Sequence, residues 1–194
     1  MCGRYEFNVE DRLLAHFYSR IDPTEAIQTG TVFPGEQVLV LGLNRNGQVR
    51  STAMRWGFDG VGNDSRLLIN ARSETIMEKP TFAESFHNRR CLFPMSQFYE
   101  WSPAPNKEKY LFGANDPLFV AGCYQMKETP YGFQAQAVIL TRFANAVVGP
   151  VHHRMPVIIQ PNDIRQWLDD FQFARDYLVV DHAPELMTSK VPTQ

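Results

Sequence analysis

The spacing of apolar residues predicts one early helix followed by a long series of strands. Val9, Leu13, Leu14 and Phe17 fall at helical spacing, which is typical of an amphipathic helix with one buried face. Beyond this segment the apolar residues form short runs separated by polar and turn-forming residues. Such runs are typical of strands in a folded sheet.

Two of these runs indicate a β-hairpin. QVLVLGL (37–43) and QVRSTAMRW (48–56) flank NRNG, which ends in the common turn pair Asn46-Gly47. The other strand-like runs are RLLIN, RCLFP, QFYEW, KYLFG, PLFVAGCYQM, GFQAQAVIL and VHHRMPVII. TFAESFHN and PNDIRQWLDD are predicted to be helices, and ARSETIMEK a helix or turn.

Strands that outnumber helices, without a regular alternation of the two, predict an α+β fold. We expect residues 1–194 to form a single domain, because this length is sufficient to bury one substantial core. That core should be a curled, mostly antiparallel, barrel-like β structure flanked by a few helices.

Composition changes this picture only slightly. The chain is 44% hydrophobic and 21% charged, as in ordinary globular proteins. It has no apolar run of membrane-spanning length and no signal-peptide pattern, so a cytoplasmic location is expected. The net charge of −2 does not favour a nucleic-acid partner, but arginine supplies 14 of the 19 basic residues and suits phosphate recognition. Solvated surface arginines remain an equal alternative.

The position of one cysteine is unusual. Three cysteines without a C-x-x-C pair argue against a disulfide framework or a zinc site. Cys91 and Cys123 have apolar neighbours and are predicted to be buried. Cys2 follows the initiator methionine and precedes a small glycine, so loss of Met1 would leave an α-amine and a thiol on one residue. A 1,2-aminothiol is a reagent, which makes Cys2 a candidate site residue.

The stretch INARSET (69–75) places polar residues directly after an apolar run. Asn70 and Arg72 are one residue apart and would project to the same face of an extended chain. Asn70 can hydrogen-bond a reacting oxygen or amine, and Arg72 can hold an anion. A turn in which Ser73 caps the next helix is the alternative interpretation.

In FYEW, Glu100 lies between Tyr99 and Trp101 within a strand-like run. Desolvation by such neighbours would raise the pKa of its carboxyl toward the range of a general acid. The alternative interpretation of FYEW is a glutamate that faces solvent on a half-buried strand.

VHHRMP combines two histidines with an arginine at the start of another predicted strand. In an extended chain His152 and Arg154 face the same way and His153 the opposite way. His152 is the candidate acid or base, and Arg154 a second anion-binding group. Adjacent histidines that diverge, without a third ligand, do not predict a metal site.

Taken in order, MCGRY, the Trp56-Gly57 pair, NARSET, FYEW and H-x-R-M-P resemble the SOS response-associated peptidase family, from residue 1 to PNDIRQWLDD. The resemblance implies that the chain removes its own Met1 and captures abasic sites in single-stranded DNA. It implies a nucleophilic Cys2 with three active-site partners, Asn70, Glu100 and His152. It also implies phosphate- and groove-contacting residues, which are Arg4, Pro34, Trp56, Arg72, Thr141 and Arg154.

The implied activity is covalent crosslinking to the lesion through a thiazolidine, which protects it during the DNA damage response. Autopeptidase removal of Met1 belongs to this activity, and a lyase activity is left open. The expected partner is single-stranded DNA containing abasic sites, and the protein is expected to be a monomer without cofactor, metal or membrane contact.

Two alternatives remain open from the residues alone. One is an N-terminal-nucleophile cysteine peptidase in which His152 activates Cys2. The other is a non-covalent module that binds single-stranded DNA by stacking bases on Trp56 and nearby aromatic residues.

Overall fold

The computed structural model describes residues 2–60, 66–103, 105 and 107–192. Its helices are α1 (Arg12–Tyr18), α2 (Pro80–Asn88), α3 (Ile164–Asp169) and α4 (Phe171–Tyr177), with 3-10 turns at Ser73–Thr75 and Pro161–Asp163. Its strands are β1 (Tyr5–Phe7), β2 (Gly30–Val32), β3 (Gln37–Leu43), β4 (Val49–Trp56), β5 (Asn70–Arg72), β6 (Arg90–Trp101), β7 (Lys109–Thr129), β8 (Gly132–Phe143), β9 (Arg154–Pro156), β10 (Ile158–Ile159) and β11 (Met187–Lys190).

Five of the strands close into a ring in the order β7, β8, β4, β3, β6 and back to β7. Pairing is antiparallel throughout the sheet except where β4 and β5 each run parallel to β8. The short strands β1 and β2 extend the sheet from β6, and β10 and β11 add to β7. The predicted α+β class with a curled, mostly antiparallel sheet is confirmed, and we describe the closure simply as a ring of strands.

Large aromatic residues fill the core. Trp56 is fully buried, with its ring centroid 5.3 Å from that of Tyr5 and 6.3 Å from that of Phe93. Phe98 and Phe112 stack on neighbouring strands with centroids 5.3 Å apart. Burying each such side chain contributes about 1.5–3 kcal/mol, so this cluster fixes the strands that carry the site.

Several predicted elements are confirmed with changed boundaries. The first helix begins at Arg12, because the Asp11 carboxylate accepts hydrogen bonds from the first free amides and caps it. The predicted hairpin is β3 and β4, with Gly47 in the left-handed region (φ 67°). The runs RCLFP and QFYEW are one strand, β6, with an irregularity between Met95 and Gln97.

Three strand pairings bring distant motifs together. β1 pairs with β6, and the Tyr99 amide donates to the Arg4 carbonyl at 3.0 Å, which places the N-terminus beside FYEW. β5 pairs with β8 so that Arg72 lies opposite Thr141. β9 also pairs with β8, with Arg154 opposite Phe143. Across the described ranges of the chain, no helix is long and apolar enough to cross a membrane.

Candidate active site

Cys2 is fully buried at the start of the chain. Its carbonyl accepts a hydrogen bond from the Asn70 amide nitrogen at 3.0 Å, which ties the N-terminal segment to β5. Burial raises the pKa of the Cys2 thiol well above its ordinary value, and the nearby Glu100 carboxylate raises it further. The thiol is therefore protonated at neutral pH.

Asn70 uses only part of its hydrogen-bonding capacity within the protein. Its amide nitrogen holds the Cys2 carbonyl, whereas its buried Oδ1 receives no hydrogen bond from the described part of the chain. An acceptor in this position can orient an N–H group on a reacting molecule.

Glu100, in the FYEW motif near the end of β6, is almost completely buried, at 1% exposed. Desolvation raises the pKa of its carboxyl. Its Oε2 lies 3.8 Å from Nδ1 of His152. The side chain therefore does not face solvent on a half-buried strand, and its carboxyl keeps its proton to a higher pH than an ordinary glutamate does.

His152 lies in the turn before β9 and is oriented by its neighbours. Its own amide donates to the Val148 carbonyl at 3.0 Å, and its Nδ1 accepts a hydrogen bond from the Arg154 amide at 3.0 Å. The same Nδ1 lies 3.2 Å from the Arg154 carbonyl, to which it donates in the other tautomer of the ring. Desolvation lowers the pKa of this imidazole, so the neutral form dominates at pH 7.

The expectation that His153 faces away from His152 is wrong. The two rings stack with centroids 4.5 Å apart and planes inclined by 29°. The alternation argument fails because the strand begins only at Arg154, and both histidines lie in the preceding turn.

Arg154 is buried and held by other protein groups. Its two terminal nitrogens donate to the two carboxylate oxygens of Glu74 at 2.8 and 2.9 Å, and one of them also donates to the Thr141 carbonyl at 2.6 Å. These hydrogen bonds lower the pKa of Glu74, although burial acts in the opposite direction. The structure therefore places Arg154 in an internal ion pair.

Arg4 lies over three aromatic rings at the other side of the site. Its guanidinium carbon is 4.5 Å from the ring centroid of Phe33, 5.0 Å from that of Trp101 and 5.9 Å from that of Tyr99, within the range of cation–π attraction. Pro34, next to Phe33, is half-buried.

The remaining predicted groove residues differ in accessibility. Arg72 is exposed at the end of β5, where it can meet an anion. Trp56 and Thr141 are fully buried; the Trp56 indole nitrogen donates to the Ile69 carbonyl at 3.0 Å. Both side chains lie behind the surface, where they support β5.

An open groove runs past Glu100 and His152. Its volume is about 690 Å³, and residues 100–103, 107 and 149–153 line it. The structure thus brings Cys2, Asn70, Glu100 and His152 to one place from four separate chain segments. Within the residues that the structure describes, no group of three histidine, cysteine, aspartate or glutamate side chains could hold a metal ion.

Sequence reasoning missed two residues of this region. Glu74 lies inside NARSET and pairs with Arg154 across 80 positions of the chain. Phe143, at the end of β8, lies over the same guanidinium with its ring centroid 4.9 Å from the Arg154 carbon. Glu74 is part of the NARSET motif, but nothing in the neighbouring sequence indicates that it pairs with Arg154.

Known proteins resemble this chain over nearly its whole length. The sequence profile of the SOS response associated peptidase (SRAP) family matches residues 1–193. The abasic site processing protein YoqW of Bacillus subtilis is 30% identical over 190 residues, covering 92% of this chain and 84% of the relative. The abasic site processing protein YedK of Escherichia coli is 29% identical over 180 residues, covering 87% of this chain and 79% of the relative.

Solved structures show the same fold. A crystal structure of a Bordetella bronchiseptica protein matches with a TM-score of 0.82 at 21% identity, covering 99% of this chain and 100% of the other. A phage-related protein of the same organism matches with a TM-score of 0.76 at 23% identity, covering 99% and 95%. The family profile spans all the motifs that converge on the site, and the chain belongs to the SOS response associated peptidase (SRAP) family.

Proposed function

We propose that this protein processes abasic sites in DNA by crosslinking to them through Cys2, in single-stranded DNA and after loss of Met1. The observation that carries the proposal is the convergence of four side chains: Asn70 holds Cys2, and Cys2 lies near Glu100, which lines the groove together with His152. The names of the relatives, which are abasic site processing proteins, support the same lesion as substrate.

The reaction begins with the sugar. An abasic deoxyribose is mostly a closed hemiacetal in exchange with a reactive aldehyde, and opening the ring requires proton movement at the ring oxygen. Glu100 suits this step because burial keeps its carboxyl protonated to higher pH than an ordinary glutamate.

Bond formation then uses both groups of Cys2. The α-amine, whose ordinary pKa is roughly 7.7–8.0, has a useful neutral fraction near pH 7 and condenses with the aldehyde, releasing water. The thiol sulfur adds to the imine carbon, its proton passes to the nitrogen, and a five-membered thiazolidine closes. Because both groups belong to one residue, the second step has the advantage of an intramolecular reaction.

Asn70 and His152 orient and serve these steps. The Asn70 amide fixes the Cys2 backbone, and its Oδ1 can accept a hydrogen bond from the reacting amine. His152 is neutral and held by the Arg154 backbone, so its imidazole is the group that can donate or relay a proton. Self-removal of Met1 is part of the proposal, since the amine of Cys2 does not exist before it. A lyase side reaction follows if the imine undergoes β-elimination before the ring closes.

Two observations disfavour the alternatives. A cysteine peptidase needs a thiolate, and burial raises the pKa of Cys2 instead of lowering it. A stacking module built on Trp56 needs an accessible indole, and Trp56 is fully buried.

A graded series at Cys2 tests the proposal. Cys2→Ala keeps the amine, so it should form only an imine that borohydride traps and heat destroys. Cys2→Ser should be intermediate, because a hydroxyl is the poorer nucleophile. The measurement is heat-resistant adduct on a denaturing gel with abasic single-stranded DNA. An extra residue before Cys2 is the control and should abolish the adduct. An equally heat-stable adduct from Cys2→Ala without reductant would place the covalent bond elsewhere.

A further inference from the structure

Phe143 is an exposed aromatic ring beside the candidate site. It is the last residue of β8 and 67% exposed, although a ring of this size normally gains free energy by burial. It lies directly opposite Arg154 on β9, and the next amide, of Ala144, donates to the His153 carbonyl at 3.0 Å. The ring is therefore a cross-strand neighbour of the segment that holds His152.

The Glu74–Arg154 ion pair holds this ring in place. The Phe143 amide donates to Glu74 Oε1 at 3.2 Å, and the Arg154 guanidinium carbon is 4.9 Å from the ring centroid. Glu74 and Thr141 in turn fix the guanidinium by three hydrogen bonds. One side of the ring is covered by a rigid cation, and the exposure of the residue places the other side in solvent.

Phe143 also lines a second groove. This groove has a volume of about 490 Å³, within the range of small-molecule sites, and Met77 and Val179 contribute exposed apolar surface to it. It begins at Ser73 and Glu74, directly after Arg72. Arg72 is exposed, so a strand held by this arginine would lie next to the second groove.

We propose that Phe143 is a stacking platform for an unpaired nucleobase next to the abasic site. This inference rests on the proposed function and adds a subsite to it. A flat, preorganised ring suits a base because every base has a π-face, and ordering the ring costs nothing more on binding. The larger faces of purines should stack better than those of pyrimidines, so a flanking purine is preferred. The buried Trp56 is not accessible for this contact.

The test uses a single-stranded oligonucleotide with a tetrahydrofuran abasic analogue, which has no aldehyde, so that binding is measured without covalent capture. A fluorescent purine analogue is placed at the 5′ or the 3′ neighbour of the lesion. Stacking on Phe143 should quench one of the two positions. Phe143→Ala should abolish that quenching and weaken binding about 5- to 150-fold, as expected for one lost stacking contact.

Phe133→Ala is the matched control. Phe133 is also on β8 and is 73% exposed, but it lies at the opposite end of that strand. Phe143→Tyr keeps a flat ring and should retain wild-type quenching, which separates the loss of stacking from any loss of folding.

Two results would contradict this proposal. One is that Phe143→Ala quenches the purine analogue as the wild type does at each of the two positions. The other is that Phe143→Ala and Phe133→Ala bind the oligonucleotide with equal affinity. Failure of the proposed function has a different signature: wild-type protein would form no adduct with aldehyde-bearing DNA, whatever the result with the analogue.

Discussion

Breaking the Glu74–Arg154 ion pair should destabilise the whole protein. Arg154 is 5% exposed and Glu74 34% exposed, and two hydrogen bonds of 2.8 and 2.9 Å join them. Among the described residues, Glu74→Ala leaves the buried Arg154 charge with the Thr141 oxygens as hydrogen-bond acceptors and the Phe143 ring as a neighbour. A buried cation without a counter-charge is costly.

The size of the effect follows from this geometry. Removing one partner of a fully buried pair costs about 3–5 kcal/mol, and hydrogen bonds to charged groups contribute about 1.5–3 kcal/mol each. Because water reaches Glu74, we expect Glu74→Ala to cost less than a fully buried pair would, about 2–3 kcal/mol. In a protein of this size that corresponds to a fall in Tm of roughly 4–12 °C. Glu74→Gln keeps one acceptor and should lose about half as much.

The contribution should also depend on pH. The pKa of Glu74 is lowered in the folded state, so the stability that its ionisation supplies is complete above the ordinary glutamate pKa of about 4.3. It is lost as the pH falls through the lower folded-state value. The difference in stability between wild type and Glu74→Gln should therefore shrink in acid.

A double-mutant cycle measures the coupling. Urea unfolding of wild type, Glu74→Gln, Arg154→Met and the double variant gives the interaction energy of the pair. Arg89 and Glu84 are the control, since they pair at 2.9 Å but are 30% and 72% exposed, and such surface pairs contribute about 0.2–1 kcal/mol. A Glu74–Arg154 coupling no larger than the Arg89–Glu84 coupling would refute this reasoning.

Three further predictions address the site. The pKa of Glu100 is raised in the folded state, so wild-type stability should fall as the pH rises from the ordinary glutamate pKa of about 4.3 through the higher folded-state value. Glu100→Gln should remove this fall, measured by urea unfolding, and should slow crosslinking. Untagged active protein should lack Met1 in an intact mass spectrum, and full retention would contradict the role of the Cys2 amine. Arg72→Ala should weaken binding to single-stranded DNA and reduce the slope of log affinity against log salt concentration by about 0.7. Tighter binding of the wild type to intact duplex than to single strands would contradict the proposed substrate.

Much of the fold was predictable because its signals are local. The hairpin of β3 and β4 is encoded by two apolar runs and Asn46-Gly47 between them. The length of β7 was not predictable, because Pro117 suggests a break between KYLFG and PLFVAGCYQM. The strand continues because its register against β6 shifts between Gly113 and Leu118, so Pro117 lies where no regular ladder bond is required.

The candidate site, like the fold, was predictable only where its signals are local. Its residue types could be read from the motifs, but burial and partners depend on contacts between distant segments. Arg154 illustrates this: the sequence suggests a free anion-binding group, whereas Glu74 and Thr141 use its donors. Trp56 likewise reads as an accessible stacking residue and is instead packed against Tyr5. Neither outcome has a signal within ten residues of the side chain concerned.

The burial of Cys2 determines the order of the proposed steps. A thiol whose pKa is raised by desolvation is a poor first nucleophile, because almost none of it is ionised at neutral pH. The α-amine needs no such ionisation of a buried group, since its ordinary pKa of about 7.7–8.0 leaves part of it neutral near pH 7. Condensation should therefore come first, and the resulting imine, once protonated, is electrophilic enough for a neutral thiol to add. Burial would then favour ring closure by keeping competing water and foreign electrophiles away from the sulfur.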